Sequence, residues 1–467
     1  MTTHRSHAVV LGASMAGLVH AAALAERFDR VTLVDRDVLP DQPDRRRGVP
    51  QDRHIHLLVP GGVVRLEQLL PGVTEDFAAR GAHIIAAPEW RFYMGGDRLN
   101  LTDALRVVGA TRPLIESVVR DRVRALSGVE FVDGWSARNL TTTDDRTRVT
   151  GVRLRSEAVT DETRTLSADL VVDTTGRGSP SPRWLADLGY RPPNEDRLMV
   201  GVHYTTRLFR RTDGDLGGCR NVVVDIPPGS RRGGVALAIE DGRWLVTLMG
   251  MLGERPPTDI TGFTDYAGSL WVNDLHEIVR DAEPVSDAFT MAFPAFSWHR
   301  YDRLRRLPEG YAVSGDAVCS FDPRFGQGMT VAITEAIELG RVVDRHGNQQ
   351  VGKRLLAAAR PVVRDAWDLA TGSDLANPDV DGPRPLPWRL TQTYLQRLLP
   401  VAHHDPEVAA AVIRTIGMLD RPQRLMHPRT LRRVLAGGRV RRERDEVPTP
   451  PAGDAVAGGP EGVGAER

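Results

Sequence analysis

Short apolar runs alternate with glycine-rich turns and small-residue helices at the start of the chain. An apolar run at 7–11 precedes glycine-containing residues, a helix predicted at 15–27 and a second apolar run at 31–35. Continuous apolar runs of this length are typical of parallel strands buried on both faces. The pattern predicts a strand, a turn, a helix and a second strand.

Predicted strands and helices continue to alternate up to about residue 198, where a segment rich in β-strands begins. We predict a helix at 113–126, strands at 129–132, 149–155 and 168–173, and a glycine-rich loop at 174–179. From about 198 to 252 the pattern is that of alternating strands, and 235–249 reads as a hairpin that turns at Asp241 and Gly242. A strand at 311–313 and a helix at 328–343 follow, and 351–435 is mostly helical.

These elements predict an α/β fold in which a Rossmann-like domain is interrupted by an inserted β-sheet domain. We assign 1–195 and 290–345 to the Rossmann-like domain, 196–289 to the β-rich substrate-binding domain and 346–437 to a helical C-terminal region. Residues 438–467 are charged and then rich in Pro, Gly, Ala and Glu, so we expect a disordered tail.

Composition narrows the class of protein. The chain has 61 basic and 61 acidic residues among 467, and this neutrality argues against a nucleic-acid binder. Two cysteines are too few for a disulfide scaffold, and no cluster has metal-ligand spacing, so we expect no metal. No signal peptide and no apolar window long enough for a membrane span are found, which favours a cytoplasmic protein without a membrane span.

A dinucleotide-binding motif follows the first predicted strand. It consists of Gly12, Ala13, Ser14, Met15, Ala16 and Gly17, and Ser14 stands where the usual fingerprint has its middle glycine. Asp35 ends the second strand, where a carboxylate binds ribose hydroxyls, and Arg36 follows it. The alternative is an ordinary glycine turn of an unrelated α/β protein.

A second motif distinguishes FAD from NAD. Gly315 and Asp316 follow the strand at 311–313, where a carboxylate can bind a ribityl hydroxyl. The loop that follows ends in Gly326, Gln327, Gly328 and Met329, and it starts a helix whose N–H groups can face a flavin ring. The alternative is a structural strand, loop and helix with an incidental Gly-Asp pair.

Together with the Thr-Thr-Gly sequence at 174–176, these motifs resemble the FAD-dependent aromatic-hydroxylase-like monooxygenases. The segment 46–56, Arg-Arg-Gly-Val-Pro-Gln-Asp-Arg-His-Ile-His, is similar to the flavin epoxidases of polyether pathways, the monensin and lasalocid type. The resemblance spans about 9–340 and implies that Arg46 and His54 lie near the flavin and Arg112 near its phosphates or ribityl chain. It departs from the family pattern at Ser14 and Thr174, both of which are small.

The resemblance implies transfer of an oxygen atom from a flavin hydroperoxide to an alkene of a polyketide-like or isoprenoid-like metabolite. Aromatic hydroxylation of a phenol, an FAD-dependent reductase or dehydrogenase acting on a prenyl-type chain, and a non-catalytic flavoprotein that shelters an intermediate are the alternatives. Halogenation is disfavoured, because the chain has no Trp-x-Trp pair and its only lysine, Lys353, lies outside the expected fold core.

The cofactor carries the chemistry in such an enzyme, so we nominate no catalytic side chain. His54, Phe293, Phe296 and Trp298 are candidate substrate contacts, although plain packing explains them equally well. The expected partners are a hydrophobic small molecule, dioxygen, and either NAD(P)H or a partner flavin reductase as the source of electrons, since no second dinucleotide fingerprint is found.

Overall fold

A computed structural model of the chain describes residues 7–102 and 105–445, with side chains to residue 437. Its strands, in chain order, are β1 (His7–Leu11), β2 (Arg30–Val34), β3 (Leu57–Leu58), β4 (His83–Ala86), β5 (Trp90–Met94), β6 (Asp97–Arg98), β7 (Arg106–Gly109), β8 (Val129–Val132), β9 (Trp135–Thr142), β10 (Val149–Ser156), β11 (Thr163–Ser167), β12 (Leu170–Asp173), β13 (Glu195–Arg210), β14 (Asn221–Val224), β15 (Arg232–Ile239), β16 (Arg243–Gly250), β17 (Phe289–His299), β18 (Tyr311–Val313) and β19 (Cys319–Ser320).

The helices cover the sheets and form the C-terminal region. They are α1 (Met15–Ala25), α2 (Pro60–Leu69), α3 (Val73–Ala79), α4 (Arg112–Arg124), α5 (Ser181–Asp187), α6 (Ile260–Gly268), α7 (Asp274–Asp281), α8 (Gly328–His346), α9 (Val351–Asp374), α10 (Leu386–Ala402), α11 (Pro406–Ile416) and α12 (Pro428–Asp445).

A five-stranded parallel sheet organises the first part of the fold, in the order β18-β12-β1-β2-β8. All five residues of β1 are buried, as a strand covered by helices on both faces requires. Helix α1 packs on β1 and β2 and against α8, and α9 packs against α8 and β18. The predicted fold class, an α/β domain with an additional β-sheet domain and a helical C-terminal region, is confirmed.

An eight-stranded sheet has the order β19-β17-β13-β16-β15-β14-β5-β6. The predicted hairpin is β15 and β16, which turn at Asp241 and Gly242, both at positive φ. The sheet also takes strands from outside 196–289, because β5 pairs in parallel with β14, and β17 pairs with β13.

Both faces of the large sheet are covered. Alternate side chains of β15 and β16 pack on α6 and α7, with Phe263 and Leu275 at the centre of that cluster. Side chains on the opposite face of these two strands pack on the C-terminal helices. Leu398 of α10 and Val412 of α11 belong to this second cluster. Two three-stranded antiparallel sheets, β11-β10-β9 and β3-β7-β4, complete the fold.

The last described helix extends into the predicted tail. Residues 438–445, where that tail was predicted to begin, belong to α12. The rest of the predicted tail, 446–467, lies outside the described residues. Within the described part of the chain, none of the helices has the length and apolar character that crossing a membrane requires.

Candidate active site

The glycine motif forms a tight turn between β1 and α1. Gly12 has φ +93°, and a Cβ atom on it would lie 3.0 Å from the carbonyl oxygen of Thr174. A Cβ on Gly17 would overlap the carbonyl oxygen of Gly12. Both positions therefore require glycine, and the turn brings the start of α1 against the end of β12. Of the motif's other residues, Ala13 and Met15 are buried and Ala16 is half-buried.

Ser14 takes part in a hydrogen-bond network that a glycine would not support. Its Oγ donates to Oε2 of Glu116 at 2.8 Å and accepts from the Arg112 guanidinium, also at 2.8 Å. Arg112 and Glu116 lie four residues apart on α4, and their charged groups are 3.4 Å apart. The serine thus ties the dinucleotide turn to α4 and fixes the position of Arg112 beside it.

Arg46 is buried among carboxylates next to the same turn. Its guanidinium pairs with Glu116 and lies 3.4 Å from Asp35 and 3.5 Å from Asp37. Burial lowers the pKa of Arg46, but the Glu116 and Asp35 carboxylates raise it, and the net shift is upward. Asp35 also accepts a hydrogen bond from the Ala13 N–H at 2.7 Å. Arg46 therefore holds the loop 46–56 against the dinucleotide turn.

Arg36 lies apart from this network. Its side chain is exposed, and it makes no hydrogen bond or ion pair with the other described residues. It directly follows Asp35 in the chain.

Asp316 follows the carboxyl end of β18, at the same edge of the parallel sheet as the glycine turn. Gly315, at φ +67°, lets the chain pass close to α1, since a Cβ on it would lie 3.1 Å from Cβ of Ala16. The Asp316 carboxylate has no hydrogen-bond partner among the described residues. Burial raises its pKa, while Arg177 and Arg112 act in the opposite direction. A half-buried carboxylate without a partner, close to two arginines, is suited to accept hydrogen bonds from a bound polyol chain.

The loop after Asp316 leads into α8 and is fixed from two directions. Gly326 adopts the left-handed conformation with φ +63°, and α8 begins at Gly328, where a Cβ would lie 3.8 Å from Oδ1 of Asp316. Gln327 donates from its side-chain amide to the carbonyl oxygen of Ile416 at 3.0 Å. Met329 is buried in the first turn of α8. The open N–H groups of this turn therefore lie beside the Asp316 carboxylate.

A buried cluster of charged side chains holds the loop that leads into α8. Arg324 is bound by Asp322, within the loop, and by Asp374, at the end of α9. All three side chains are almost completely buried. Since a buried guanidinium between two carboxylates is strongly constrained, the loop conformation depends on α9.

The large sheet presents aromatic and polar side chains to the loop 46–56. His54 bonds through Nδ1 to Oγ1 of Thr206 at 2.8 Å, and its ring lies 5.9 Å from that of Tyr204. Burial, together with the nearby Arg53, lowers the pKa of His54 to about 4. The Tyr204 hydroxyl is buried and has no hydrogen-bond partner within the described part of the chain, and its ring meets Phe293 edge-on at 5.7 Å.

The predicted aromatic contacts divide into two groups. Phe293 is half-buried, and the guanidinium of Arg177, from the glycine loop after β12, lies 4.9 Å from its ring centroid. Phe296 and Trp298 are buried and both pack on Trp367 of α9, at 5.6 and 5.8 Å. Phe293 therefore packs toward the glycine loop after β12, and the other two belong to the junction of the sheet with α9.

Several residues of this region were not singled out from the sequence. Glu116 is signalled only by its i,i+4 spacing from Arg112 on the predicted helix. Arg177, Tyr204 and Asp374 carry no local sequence signal, because their partners lie far away along the chain. Among the described residues no group of side chains could hold a metal ion.

The motif residues nevertheless converge. The glycine turn, Arg112, Asp316 and the start of α8 line one edge of the parallel sheet, where ligands of open α/β folds bind. The glycine positions, the unpartnered carboxylate and the helix start are what an extended dinucleotide with a flavin ring requires, so the residues present fit FAD.

The chain is similar to known proteins in sequence and in fold. No family model matches the sequence. Protein Rv3254 of Mycobacterium tuberculosis is 34% identical over 434 residues, which cover 89% of this chain and 90% of that protein. Among solved structures, PqsL, a probable FAD-dependent monooxygenase from Pseudomonas aeruginosa, is 17% identical, with a TM-score of 0.60 over 81% of this chain and 97% of PqsL.

A flavin-dependent brominase, Bmp2, has the same fold. It is 13% identical, with a TM-score of 0.62 over 95% of this chain and 99% of its own. The chain therefore belongs to the same family as Protein Rv3254, and it has the fold shared by FAD-dependent monooxygenases and flavin-dependent halogenases.

Proposed function

We propose that the chain is an FAD-dependent monooxygenase that transfers one oxygen atom of dioxygen to an alkene of a hydrophobic, polyketide-like or isoprenoid-like metabolite. The observation that carries the proposal is the Asp316 carboxylate. It is half-buried, it has no partner among the described residues, and it lies between the glycine turn and the start of α8.

The cofactor would be held at both ends. The N–H groups of the turn from Gly12 to Gly17 and the Arg112 guanidinium suit the pyrophosphate, and Asp316 suits the ribityl hydroxyls. The backbone from Gly326 to Met329 would border the ring. When bound and reduced, FAD supplies the activation of dioxygen, with NAD(P)H or a flavin reductase as the source of electrons.

The protein's own part is to position an apolar substrate and to exclude water. Tyr204 and Phe293 offer an aromatic surface on the large sheet, and the buried His54 fixes the loop 46–56 to that sheet through Thr206. Exclusion of water protects a reactive oxygen donor from decay.

The low basicity of the histidines in this region favours an alkene over a phenol as the substrate. Hydroxylation of a phenol is assisted by a base that removes the phenolic proton. His54 and His56, whose burial lowers their pKa values to about 4 and about 3, are weak bases. Epoxidation of an alkene needs no proton removed from the substrate, so the surroundings suit it better.

The position of Lys353 argues against halogenation. Its Nζ donates to the carbonyl oxygen of Arg305 at 3.1 Å, and the neighbouring Gly352 packs on Tyr311, the first residue of β18. Asp316 follows the other end of the same strand. The chain's only lysine is thus at the edge of the parallel sheet opposite the proposed flavin, out of reach of the reacting atoms.

Labelled dioxygen tests the activity. The purified protein should show a flavin absorbance spectrum, and with reductant it should place one labelled oxygen atom in members of an alkene panel. Label in phenols alone would establish the aromatic hydroxylase instead. Turnover without incorporation of label would establish a reductase or dehydrogenase, and a protein that neither contains nor binds FAD would contradict the whole proposal.

Substitution of Asp316 tests the cofactor assignment. Asp316→Ala should weaken FAD binding roughly tenfold to a hundredfold, because a charged acceptor of hydrogen bonds is lost. The dissociation constant is measured by quenching of flavin fluorescence in the refilled apoprotein. Asp187→Ala, which removes an exposed carboxylate on α5, is the control and should leave FAD binding unchanged. Equal affinities of the two variants would refute the role of Asp316.

A further inference from the structure

Two adjoining cavities lie at the amino end of β18, away from the proposed flavin site. The larger, about 660 Å³, is lined by the turn at 145–146, the segment 188–194 and residues 300–306. The smaller, about 230 Å³, shares Tyr190, Arg305 and Arg306 with it and extends to Lys353. We call the two together the basic groove.

Hydrogen bonds fix the walls of the basic groove. Asp145 accepts from the Thr143 hydroxyl at 2.6 Å and from the Thr147 N–H at 3.1 Å, which holds the turn that carries Arg146. The Tyr190 hydroxyl donates to the carbonyl oxygen of Arg146 at 3.0 Å. On the opposite wall, Lys353 donates to the carbonyl oxygen of Arg305. The groove is therefore a preformed site.

More positively than negatively charged side chains line the basic groove. Four arginines have no carboxylate within 4.0 Å among the described residues, and all four are exposed: Arg146, Arg191, Arg305 and Arg306. Two other lining arginines show the contrast, since Arg300 pairs with Asp302 at 2.8 Å and Arg303 lies 3.7 Å from Asp196.

Two acidic side chains reduce this excess only in part. Asp145 and Glu309 line the groove, against the four arginines without a carboxylate partner and Lys353. The Asp145 carboxylate is already engaged by threonines. The groove thus keeps a net positive charge in a chain whose total charge is zero.

We propose that the basic groove binds a small molecule that carries two or more phosphate groups. Planar guanidinium groups bind phosphate oxygens in pairs, and several of them on facing walls match a chain of phosphates better than a single anion. The volume of the larger cavity lies within the range of small-molecule sites, about 300–1,000 Å³. This site is additional to the proposed oxygenation and does not depend on it.

The groove and the flavin site lie at opposite edges of the parallel sheet. Residues 303–306 precede β18, whereas Asp316 follows it. A ligand in the groove therefore leaves the flavin site free, and both are expected to be filled at the same time.

Calorimetry on the purified protein tests the proposal. The protein is first saturated with FAD, so that the adenine-binding part of the flavin site is already filled. ATP and inorganic tripolyphosphate are the two probes, since they share the phosphate chain and differ in the nucleoside. Binding of both with similar affinity identifies a polyphosphate site, and markedly tighter binding of ATP identifies a nucleotide site. Affinity should fall as the salt concentration rises.

Paired variants locate the site. Arg305→Ala/Arg306→Ala should weaken binding roughly tenfold for each guanidinium removed. The matched control, Arg210→Ala/Arg280→Ala, removes two exposed arginines of the β-rich region and should bind as the parent does. Circular dichroism reports whether each variant is folded, and Arg191→Ala gives an independent second test on the opposite wall.

Two results would overturn the proposal. One is the absence of binding of both probes at physiological ionic strength. The other is equal weakening in the groove variants and the matched control, because that would show a non-specific effect of net charge. Neither result depends on whether the protein oxygenates a substrate, so the failure of this proposal and that of the proposed activity are distinguishable.

Discussion

At the scale of single residues, burial determines the protonation state of His54. Its ring lies between the loop 46–56 and the large sheet, bonded to Thr206, and burial keeps it neutral down to a pH of about 4. In the unfolded chain a histidine titrates near pH 6.5. Between these two values the unfolded state binds more protons, so stability decreases as the pH falls.

We therefore predict an acid-sensitive fold to which His54 contributes. Its contribution is complete above about pH 6.5 and is lost as the pH falls toward 4, and the loss at pH 5 amounts to about 2 kcal/mol. Urea unfolding at pH 8 and pH 5 measures it. His54→Gln should lose less stability than the parent between these pH values, whereas His346→Gln, at an exposed helix end, should behave as the parent does. An identical loss in all three proteins would contradict the prediction.

Ser14 shows what the sequence could indicate about the site and what it could not. Its small size and its place in the motif predicted a turn that still admits a dinucleotide. Its bond to Glu116 joins residues 102 positions apart, and no local pattern reports such a pairing. The predicted site residues on the glycine turn and around Asp316 converge, because each follows the carboxyl end of a strand of one parallel sheet.

At the scale of elements, periodicity predicted type and order well where packing is local. The strands at 129–132 and 311–313 have the predicted bounds, and α1 begins at Met15 as expected. The pairing of β5 with β14 was not predicted, because it joins residues 90–94 to 221–224 in parallel, and short apolar strands do not specify distant partners. The region 351–435 was predicted to be mostly helical, but the close approach of α9 to β18 was not predicted.

Substitution of two glycines of α9 tests how closely this helix packs on β18. A Cβ on Gly352 would overlap the carbonyl oxygen of Tyr311, whereas a Cβ on Gly372 would meet side-chain atoms only at 3.8 Å or beyond. Gly352→Ala should lower the melting temperature by several degrees, because α9 must move away from β18. Gly372→Ala should be neutral or slightly stabilising, since alanine favours helix by up to about 1 kcal/mol. Similar melting temperatures for the two variants would refute the close packing.

At the scale of the whole molecule, the C-terminal helices support the proposed cofactor site. Asp374 binds Arg324 of the loop 321–327, the proposed flavin loop, and Ile416 accepts a hydrogen bond from Gln327. The N–H of Gly61, on α2, donates to the carbonyl oxygen of Gly417 at 2.7 Å. The loop that would border the flavin ring is therefore held by segments far beyond it in sequence.

Neutralising Asp374 should weaken both the fold and the cofactor site. Asp374→Asn leaves the buried Arg324 with one carboxylate, and we expect the free energy of unfolding to fall by about 3 kcal/mol, with weaker FAD binding. Asp368→Asn, an exposed position on the same helix that pairs with Arg364, should cost at most about 0.5 kcal/mol. Chemical denaturation and flavin titration measure the two effects, and equal behaviour of the variants would show that the ion cluster does not support the loop.

The bonds from Asp374 and Ile416 also set an order of events during synthesis. A ribosome releases the glycine turn, Arg112 and Asp316 before the helices that hold the flavin loop. A nascent chain can therefore form the parallel sheet early, but its flavin loop is fixed only when the last helices dock. Under the proposed function, a chain that ends before residue 374 lacks both contacts to this loop and should bind FAD more weakly than the full chain, however well its parallel sheet folds.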